Sequence, residues 1–261
     1  MLQVEGAMMS AIKAPIRILV AAILAFAILC PRAVRAADDV DLLLVLAADV
    51  SRSIDDGKFQ LQRNGYAAAI SDPRVLDAIR SGRNGRIGVT FVEWSGVGAQ
   101  HVVIDWTEIG DAASAKGFGD QLSELPRSFA GRTSISGGIE FALARLAAAP
   151  FNCVRRTIDV SGDGTNNDGG NVTELRDQAV AKGVTINGLV ILSDNPLPWN
   201  PEHTNPPGGL DNYYRNNVVG GPGAFVMVAQ NFSSFGQAII AKMIAEVSKT
   251  EPPASWQAAR R

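Results

Sequence analysis

The chain has 261 residues, enough for one large domain, and 46% of them are hydrophobic, as is typical of a globular protein. Its formal net charge is −2 and its sequence contains no basic tract. Charge therefore gives no support for nucleic acid as a partner.

The N-terminus has the layout of a secretory signal peptide. Lys13 and Arg17 precede an uncharged apolar run, Ile18–Cys30, and Val34 and Ala36 are small residues placed before a cut. The run is short for a membrane span. We predict that residues 1–36 are removed on export, which leaves a periplasmic or secreted chain without a membrane span. An uncleaved N-terminal anchor is the alternative.

Cleavage would remove Cys30 and leave Cys153 as the one remaining cysteine. A single cysteine forms no internal disulfide, so the hydrophobic core must hold the fold even in an oxidising compartment. Because Cys153 directly precedes an apolar run, we interpret it as a buried small side chain and not as a nucleophile.

The first predicted strand ends in a polar triplet. The apolar run Leu42–Ala47 predicts a strand buried on both faces of a parallel sheet, and Asp49, Ser51 and Ser53 follow at its carboxyl end. Open α/β sheets bind ligands at that edge. One carboxylate and two hydroxyls suit Mg²⁺, Mn²⁺ or Ca²⁺ better than a thiol-seeking metal. The alternative is that these residues cap the next helix.

The rest of the chain alternates helical and extended patterns. Helices are predicted at Asp55–Ile70, Pro73–Arg80, Ala113–Glu124, Ser136–Ala148, Val172–Lys182, Leu210–Asn217 and Phe232–Ser248. Further strands are predicted at Arg86–Trp94, His101–Trp106, Thr157–Ser161, Thr185–Leu192 and Ala224–Ala229. The pattern predicts an α/β domain over residues 37–250. It is doubly wound, with a mainly parallel central sheet, helices on both faces and one antiparallel edge strand. Residues 251–261 are predicted to be a flexible tail.

A long segment rich in Pro, Asn and Gly, residues 193–223, precedes the last strand. We interpret it as a specificity determinant or lid, and the alternative is a structural insertion packed on its own aromatic residues. Four of its side chains are candidates for a contact surface: Trp199, His203, Tyr213 and Tyr214. Neither His203 nor His101 has the spacing of a metal ligand.

Two later loops supply further oxygen donors. Thr133 lies in a glycine-flanked turn before a predicted helix, and Asp163 follows the predicted strand Thr157–Ser161. The ends of neighbouring central strands converge on one crevice of a doubly wound sheet. We therefore predict one cluster of two carboxylates and three hydroxyls, made of Asp49, Ser51, Ser53, Thr133 and Asp163. A divalent cation would offset the repulsion between its carboxylates.

Three motifs, DVSRS at 49–53, GRTS at 131–134 and SGDG at 161–164, occur in this order. With them the chain resembles the von Willebrand factor A-type domain, roughly over residues 39–249. The metal-ion-dependent adhesion site (MIDAS) of that family has Asp-x-Ser-x-Ser, a Thr in a glycine-rich loop, and Asp-Gly after the fourth strand. More narrowly, RRTIDVSGDG and YYRNNVVGGPGAFV look like a bacterial exported family of unknown function, DUF1194.

The resemblance implies recognition of a protein partner through a divalent cation. In that family the residues matching Ser51 and Ser53 bind the ion directly, and those matching Asp49, Thr133 and Asp163 bind it directly or through water. An open position accepts an Asp or Glu carboxylate of the partner. Because Mg²⁺ prefers six oxygens and retains water, Mg²⁺ is the expected ion, with Mn²⁺ or Ca²⁺ as alternatives.

The chain departs from the family pattern at two positions. Arg52 occupies the middle of DVSRS, where many relatives have a small residue. Its guanidinium either pairs with an incoming carboxylate or points into solvent. Gly162 precedes Asp163 in place of the commoner hydroxyl residue, which predicts a looser loop.

Two other functions remain open from the sequence. The first is a metal-dependent hydrolase or phosphohydrolase that uses Asp49, although Ser51 stands where such an enzyme would have a second acidic residue, and no P-loop or GxGxxG motif occurs. The second is a scaffold whose metal serves stability alone and whose interaction surface lies on residues 193–223.

Overall fold

The computed structural model of the protein describes residues 38–193 and 196–248. The predicted signal peptide and tail, residues 1–36 and 251–261, lie outside the described residues and stay predictions. The described part contains six strands, which are β1 (Leu43–Asp49), β2 (Ile87–Trp94), β3 (Gln100–Ile109), β4 (Arg156–Gly162), β5 (Val184–Ile191) and β6 (Val226–Ala229).

Eight α-helices connect and follow these strands within the described ranges. They are α1 (Asp56–Ile70), α2 (Pro73–Arg80), α3 (Ala112–Glu124), α4 (Ile135–Ala147), α5 (Val172–Ala181), α6 (Pro201–Thr204), α7 (Leu210–Asn217) and α8 (Phe235–Ser248). None of these helices is long and apolar enough to cross a membrane.

The six strands form one sheet in the order β3-β2-β1-β4-β5-β6. Every neighbouring pair is parallel except β2 and β3, which form the predicted antiparallel hairpin at one edge. The predicted fold class is confirmed. The strand order reverses between β1 and β4, and ligands of open α/β sheets bind outside the carboxyl ends of the strands at such a switch point.

Helices cover both faces of the sheet, which explains the uninterrupted apolar run of the first strand. Leu44 and Leu46 belong to a core shared with α1, α2, α3 and α8. Leu43 and Val45, which point to the opposite face, belong to a core shared with α4, α5 and α7. Because both faces are covered, every residue of β1 is buried.

Element boundaries follow local capping signals. The predicted helices at Pro73–Arg80 and Leu210–Asn217 have the observed bounds. The closing helix begins later than predicted, at Phe235, because a 3₁₀ turn at Phe232–Ser234 comes first, capped by Asn231. Sequence patterning missed the short helix α6.

The cap of α1 decides one of the open alternatives. The side chain of Asp55 accepts a hydrogen bond from the Lys58 backbone N–H at 2.9 Å, so Asp55 is the N-cap of α1. The alternative that the Asp49 triplet caps this helix is therefore wrong. Asp49, Ser51 and Ser53 instead form hydrogen bonds with one another and with Asp163.

Candidate metal centre

The carboxyl edge of the sheet holds the predicted site residues. Asp49 is the last residue of β1, and Asp163 follows β4, the strand paired with β1. The loop of Thr133 approaches the same place, because the backbone N–H of Arg52 donates a hydrogen bond to the carbonyl of Gly131 at 2.9 Å. The structure thus brings three loops, separate in sequence, to the switch point.

A chain of hydrogen bonds links the side chains of the first loop to Asp163. The Ser51 backbone N–H donates to Asp49 Oδ1 at 2.7 Å. Ser51 Oγ lies 3.1 Å from Ser53 Oγ, and Ser53 Oγ donates to Asp163 Oδ1 at 2.5 Å. The second oxygen of each carboxylate, Asp49 Oδ2 and Asp163 Oδ2, is buried with no hydrogen-bond partner among the described residues.

The surroundings of Asp49 and Asp163 raise the pKa of both carboxyl groups, which disfavours their charged forms. Burial, together with the nearby charge of Asp163, raises the pKa of Asp49 from 3.8 to about 8. Burial also raises the pKa of Asp163, against the opposing effects of the Ser53 hydrogen bond and the Lys58 charge. Lys58 Nζ lies 3.7 Å from Asp163 Oδ2 and donates to the Ser53 carbonyl at 2.8 Å. One partly exposed lysine is therefore the nearest charge of opposite sign to this carboxylate.

The donor set fits a divalent cation that prefers oxygen. Within the described ranges there is no cluster of three or more His, Cys, Asp or Glu side chains that could hold a metal. A cation at this edge would therefore depend on hydroxyls in addition to two carboxylates. Hard ions such as Mg²⁺ accept such ligands, and their charge would satisfy the two orphaned carboxylate oxygens.

Thr133 is fixed by the loop that follows β4. Its backbone N–H donates to Asn167 Oδ1, and its carbonyl accepts from the Asn167 N–H, both at 2.9 Å. Ser134, the N-cap of α4, follows directly. The Thr133 side chain is consequently held in place at the start of a helix and is 1% exposed.

His203, which the sequence indicated only as a candidate for a contact surface, lies at the site itself. Helix α6 brings its ring to the site, 5% exposed, with Nε2 at 3.2 Å from Thr133 Oγ1. A Cβ at Gly164 would overlap the ring, so the glycine after Asp163 allows this approach. Burial lowers the pKa of His203, and the charge of Asp163 opposes this shift. The only sequence signal for the contact was that glycine, since the two partners lie 70 positions apart.

Tyr214 differs from its predicted place on a contact surface, because it is completely buried. Its hydroxyl has no hydrogen-bond partner in the described part of the chain. A Cβ at Gly162 would lie 2.6 Å from this hydroxyl and 3.1 Å from Asp49 Oδ2. Gly162 thus makes room for Tyr214 beside Asp49. It also pairs with Val190 within the sheet, so the predicted looser loop is wrong at this residue.

The other three residues predicted for partner contact lie nearer the surface. Arg52 is exposed, and Trp199 is 71% exposed, which makes it more accessible than Tyr213. Tyr213 is partly buried, and its hydroxyl accepts a hydrogen bond from the Asn166 N–H at 3.1 Å. Arg52 and Trp199 therefore keep the accessibility that a contact residue needs.

Comparisons with known proteins describe the family and the fold. The model of the DUF1194 family, "Protein of unknown function", matches residues 39–251. No curated protein matches the chain. Proximal thread matrix protein 1 from the mussel byssus, in a structure with a zinc-occupied MIDAS motif, is 16% identical with a TM-score of 0.55, over 81% of this chain and 49% of that one.

Two further solved structures resemble the chain. The pilus adhesin SpaC from Lactobacillus rhamnosus GG is 12% identical with a TM-score of 0.55, over 82% of this chain and 32% of that one. A von Willebrand factor type A protein from Catenulispora acidiphila is 12% identical with a TM-score of 0.53, over 80% and 43%. The chain spans less than half the length of all three, and at these identities the likeness shows the fold alone.

Proposed function

The chain belongs to the DUF1194 family and has a von Willebrand factor A-type fold, and on this premise we propose that it is an exported domain that binds a protein partner through a divalent cation. The side chains that would hold the cation are Asp49, Ser51, Ser53, Thr133 and Asp163.

One observation carries this proposal. Two carboxylates lie buried side by side at the switch point, and each has an oxygen without a hydrogen-bond partner among the described residues. Buried carboxylates are otherwise paired or bound to a metal, because an unpaired buried charge is costly. Three hydroxyls in the same cluster complete a set of oxygen donors typical of Mg²⁺, Mn²⁺ or Ca²⁺.

A bound cation would supply an electrophilic centre for a carboxylate of the partner. Residues of this chain around the site would orient the partner's carboxylate and restrict its approach to the cation. Arg127 Nη2 donates to the carbonyls of Val50 and Ser51 at 2.5 and 2.8 Å, which fixes the loop that carries the serines. Arg52 and Trp199, both exposed, would meet the partner around the site.

The kinds of protein that share the fold support a binding role. One is a pilus adhesin and another is a matrix protein of byssus threads. Export is supported by the basic residues and apolar run before residue 37. A secreted or periplasmic domain with these properties would bind a protein outside the cytoplasm.

The first test is calorimetric titration of the protein produced from its full-length gene, stripped with EDTA, with Mg²⁺, Mn²⁺ and Ca²⁺. We expect saturable one-site binding that Asp49→Asn abolishes. Asp159→Asn is the matched control, since it removes a buried carboxylate of the same sheet outside the site. Binding that survives Asp49→Asn, or that is lost in Asp159→Asn protein shown to be folded by circular dichroism, would overturn the proposed site.

The second test addresses the partner's chemistry. Displayed random peptides are selected on the Mg²⁺-loaded protein and eluted with EDTA. We expect the enriched peptides to share an Asp or Glu whose replacement by Asn or Gln abolishes binding. Enrichment without an acidic residue, unchanged by Asp49→Asn, would instead favour the scaffold alternative. In that case Trp199→Ala should weaken peptide binding, and this single change leaves the buried Tyr214 in place.

One contact of His203 is consistent with the hydrolase alternative, and another is not. His203 lies within hydrogen-bond distance of the Thr133 hydroxyl, as a general base would, but Nδ1 of this ring faces Thr165 Oγ1 at 3.3 Å and not a carboxylate. Asp49 is completely buried, whereas a nucleophile must reach its substrate. Turnover of phosphate or ester substrates that Asp49→Asn abolishes would nevertheless overturn the binding function.

A further inference from the structure

The side chains predicted to hold the cation lie at the carboxyl edge of the sheet, and all five are buried. Their exposure ranges from 0% for Asp49 and Asp163 to 7% for Ser53. In the proposed function a partner carboxylate contacts the cation directly, so the partner needs a path from solvent to these side chains. The part of the chain that covers them therefore controls access of the partner.

The His203 ring is part of this cover, and it lies directly on two loops of the site. A Cβ at Gly164 would be 2.3 Å from His203 Nε2 and 2.4 Å from Cε1, so the ring contacts the backbone next to Asp163. The same nitrogen lies 3.2 Å from Thr133 Oγ1. The ring thus fills the space between Gly164 and the Thr133 hydroxyl, and a partner atom cannot enter that space while the ring stays there.

Hydrogen bonds hold the ring in this position. Asn167 Oδ1 accepts from the Thr133 N–H at 2.9 Å, which leaves the Asn167 amide nitrogen as the donor that faces His203 Nδ1 at 3.4 Å. The ring proton is therefore on Nε2, and Nε2 donates to the Thr133 hydroxyl. The Thr165 backbone N–H donates to the His203 carbonyl at 2.9 Å. His203 is consequently bonded to the loops that carry Thr133 and Asp163.

The segment that carries His203, residues 196–209, buries little else. Within this segment only His203 and Thr204 are buried. The Thr204 hydroxyl accepts a hydrogen bond from a backbone N–H of the same segment at 3.4 Å. The segment ends at Gly208 and Gly209, whose φ angles of 84° and 90° lie in the left-handed region that glycine adopts without strain. Segments with little buried apolar surface open at low cost in free energy.

We propose that residues 196–209 form a lid over the cation site, which the His203 ring holds shut and which must open before a partner carboxylate can bind. This inference rests on the proposed function, because it concerns access to that same site. The apparent affinity for a partner is reduced by the fraction of molecules in which the lid is open. The contacts of His203 therefore set how strongly a partner must bind in order to displace the lid.

Water access to a bound Mn²⁺ ion tests the lid without a known partner. The longitudinal relaxation rate of water protons is measured on Mn²⁺-loaded protein produced from the full-length gene, because this rate rises when water on the ion exchanges with bulk water. We expect the relaxation rate per bound Mn²⁺ to increase severalfold in His203→Ala and in Gly164→Ala, whose added Cβ would overlap the ring. His101→Ala, which removes the other histidine, should match the wild type.

Hydrogen exchange measures the same opening in metal-free protein. The His203 carbonyl protects the Thr165 N–H, so this amide becomes exposed when the lid opens. We expect His203→Ala to speed exchange of the Thr165 amide about tenfold, because the lid loses the ring's hydrogen bonds. The amides of β1 should exchange as in the wild type, which also shows that the variant is folded.

The outcomes separate the lid from the cation site. If Mn²⁺ binding survives Asp49→Asn, the proposed site is wrong and the lid over it is overturned as well. If Asp49→Asn abolishes Mn²⁺ binding but neither His203→Ala nor Gly164→Ala raises the relaxation rate per bound ion, the site stands and the lid is overturned. Faster Thr165 exchange with an unchanged relaxation rate would also overturn the lid, since the ring would then hold the loop without covering the ion.

Discussion

Two buried carboxylates, one within β4 and one just beyond it, have different positively charged neighbours. Asp159, within β4, has its Oδ1 2.6 Å from Lys242 Nζ, and both side chains are completely buried. Lys242 Nζ also donates to Glu246 Oε1 at 2.5 Å, and Asn187 Nδ2 donates to the same oxygen at 2.9 Å. Asp163, just beyond β4, has Lys58 at 3.7 Å as its nearest cation.

Asp159 therefore has a completely buried cation in close contact, whereas the cation nearest to Asp163 is partly exposed. A buried ion pair is kept by its fixed partner, and removing one member leaves an uncompensated charge. At the sheet edge Lys58 is partly exposed and lies 3.7 Å from Asp163 Oδ2, and this oxygen and Asp49 Oδ2 have no hydrogen-bond partner among the described residues. A bound divalent cation would supply at the sheet edge the compensating positive charge that Lys242 supplies permanently inside the protein.

The largest expected effect comes from removing the fixed cation. Lys242→Met leaves Asp159 and Glu246 as buried carboxylates without their ammonium partner. We expect the free energy of unfolding to fall by about 3–5 kcal/mol, measured by urea denaturation. The exposed pair of Lys116 and Asp120 offers the control, since Lys116→Met should cost less than about 1 kcal/mol. Equal effects of the two variants would contradict the comparison.

The second prediction concerns the dissociable cation. A ligand that binds only the native state at 100 times its dissociation constant stabilises that state by about 2.7 kcal/mol. We expect saturating Mg²⁺ to raise the unfolding free energy of the wild type by about this amount, and of Asp159→Asn equally. Asp49→Asn should show no rise, and a rise in that variant would place the cation elsewhere.

The third prediction is a pH dependence. Burial raises the pKa of Asp159 from 3.8 to about 7, although Lys242 opposes this shift. An acid whose pKa is higher in the folded state contributes its full stability below the unfolded pKa and loses it as the pH rises. Metal-free protein should therefore lose stability between about pH 4 and 7, with a slope from Asp159 of at most about 1.4 kcal/mol per pH unit.

Asp159→Asn should flatten this slope only in part. Asp49, with a pKa raised to about 8, contributes a slope of the same sign that the variant retains. Denaturation curves at several pH values in EDTA measure both contributions. A slope identical in wild type and Asp159→Asn would show that the interior carboxylate does not titrate with folding.

The smallest expected effect compares two tyrosines buried on opposite faces of the sheet. Tyr66 donates its hydroxyl to Ser161 Oγ at 2.9 Å, so Tyr66→Phe should cost about 1 kcal/mol. The Tyr214 hydroxyl has no hydrogen-bond partner in the described residues, so Tyr214→Phe should be neutral or stabilising in metal-free protein. A cost for Tyr214→Phe equal to that for Tyr66→Phe, measured by urea denaturation, would reveal a partner of this hydroxyl.

Much of the candidate site was accessible from sequence because its signals are local. The apolar run before Asp49 indicated a buried strand, and the motif indicated oxygen donors at its carboxyl end. Asp163 could be added because a strand pattern directly precedes it. In each case the residue and the evidence for its position lie within a few positions of one another.

The roles of His203 and Tyr214 were decided only by tertiary structure. Local periodicity predicted the helix Leu210–Asn217 with its observed bounds, but it could not show that Tyr214 faces Asp49 or that α6 brings His203 to Thr133. Such contacts depend on how the chain packs after it returns to the sheet. The local sequence pattern was enough to predict the six strands, the longer helices and the oxygen motif, because each of these depends on residues close together in the chain. The packed fold decided which distant side chains join them, because burial is a property of the whole domain.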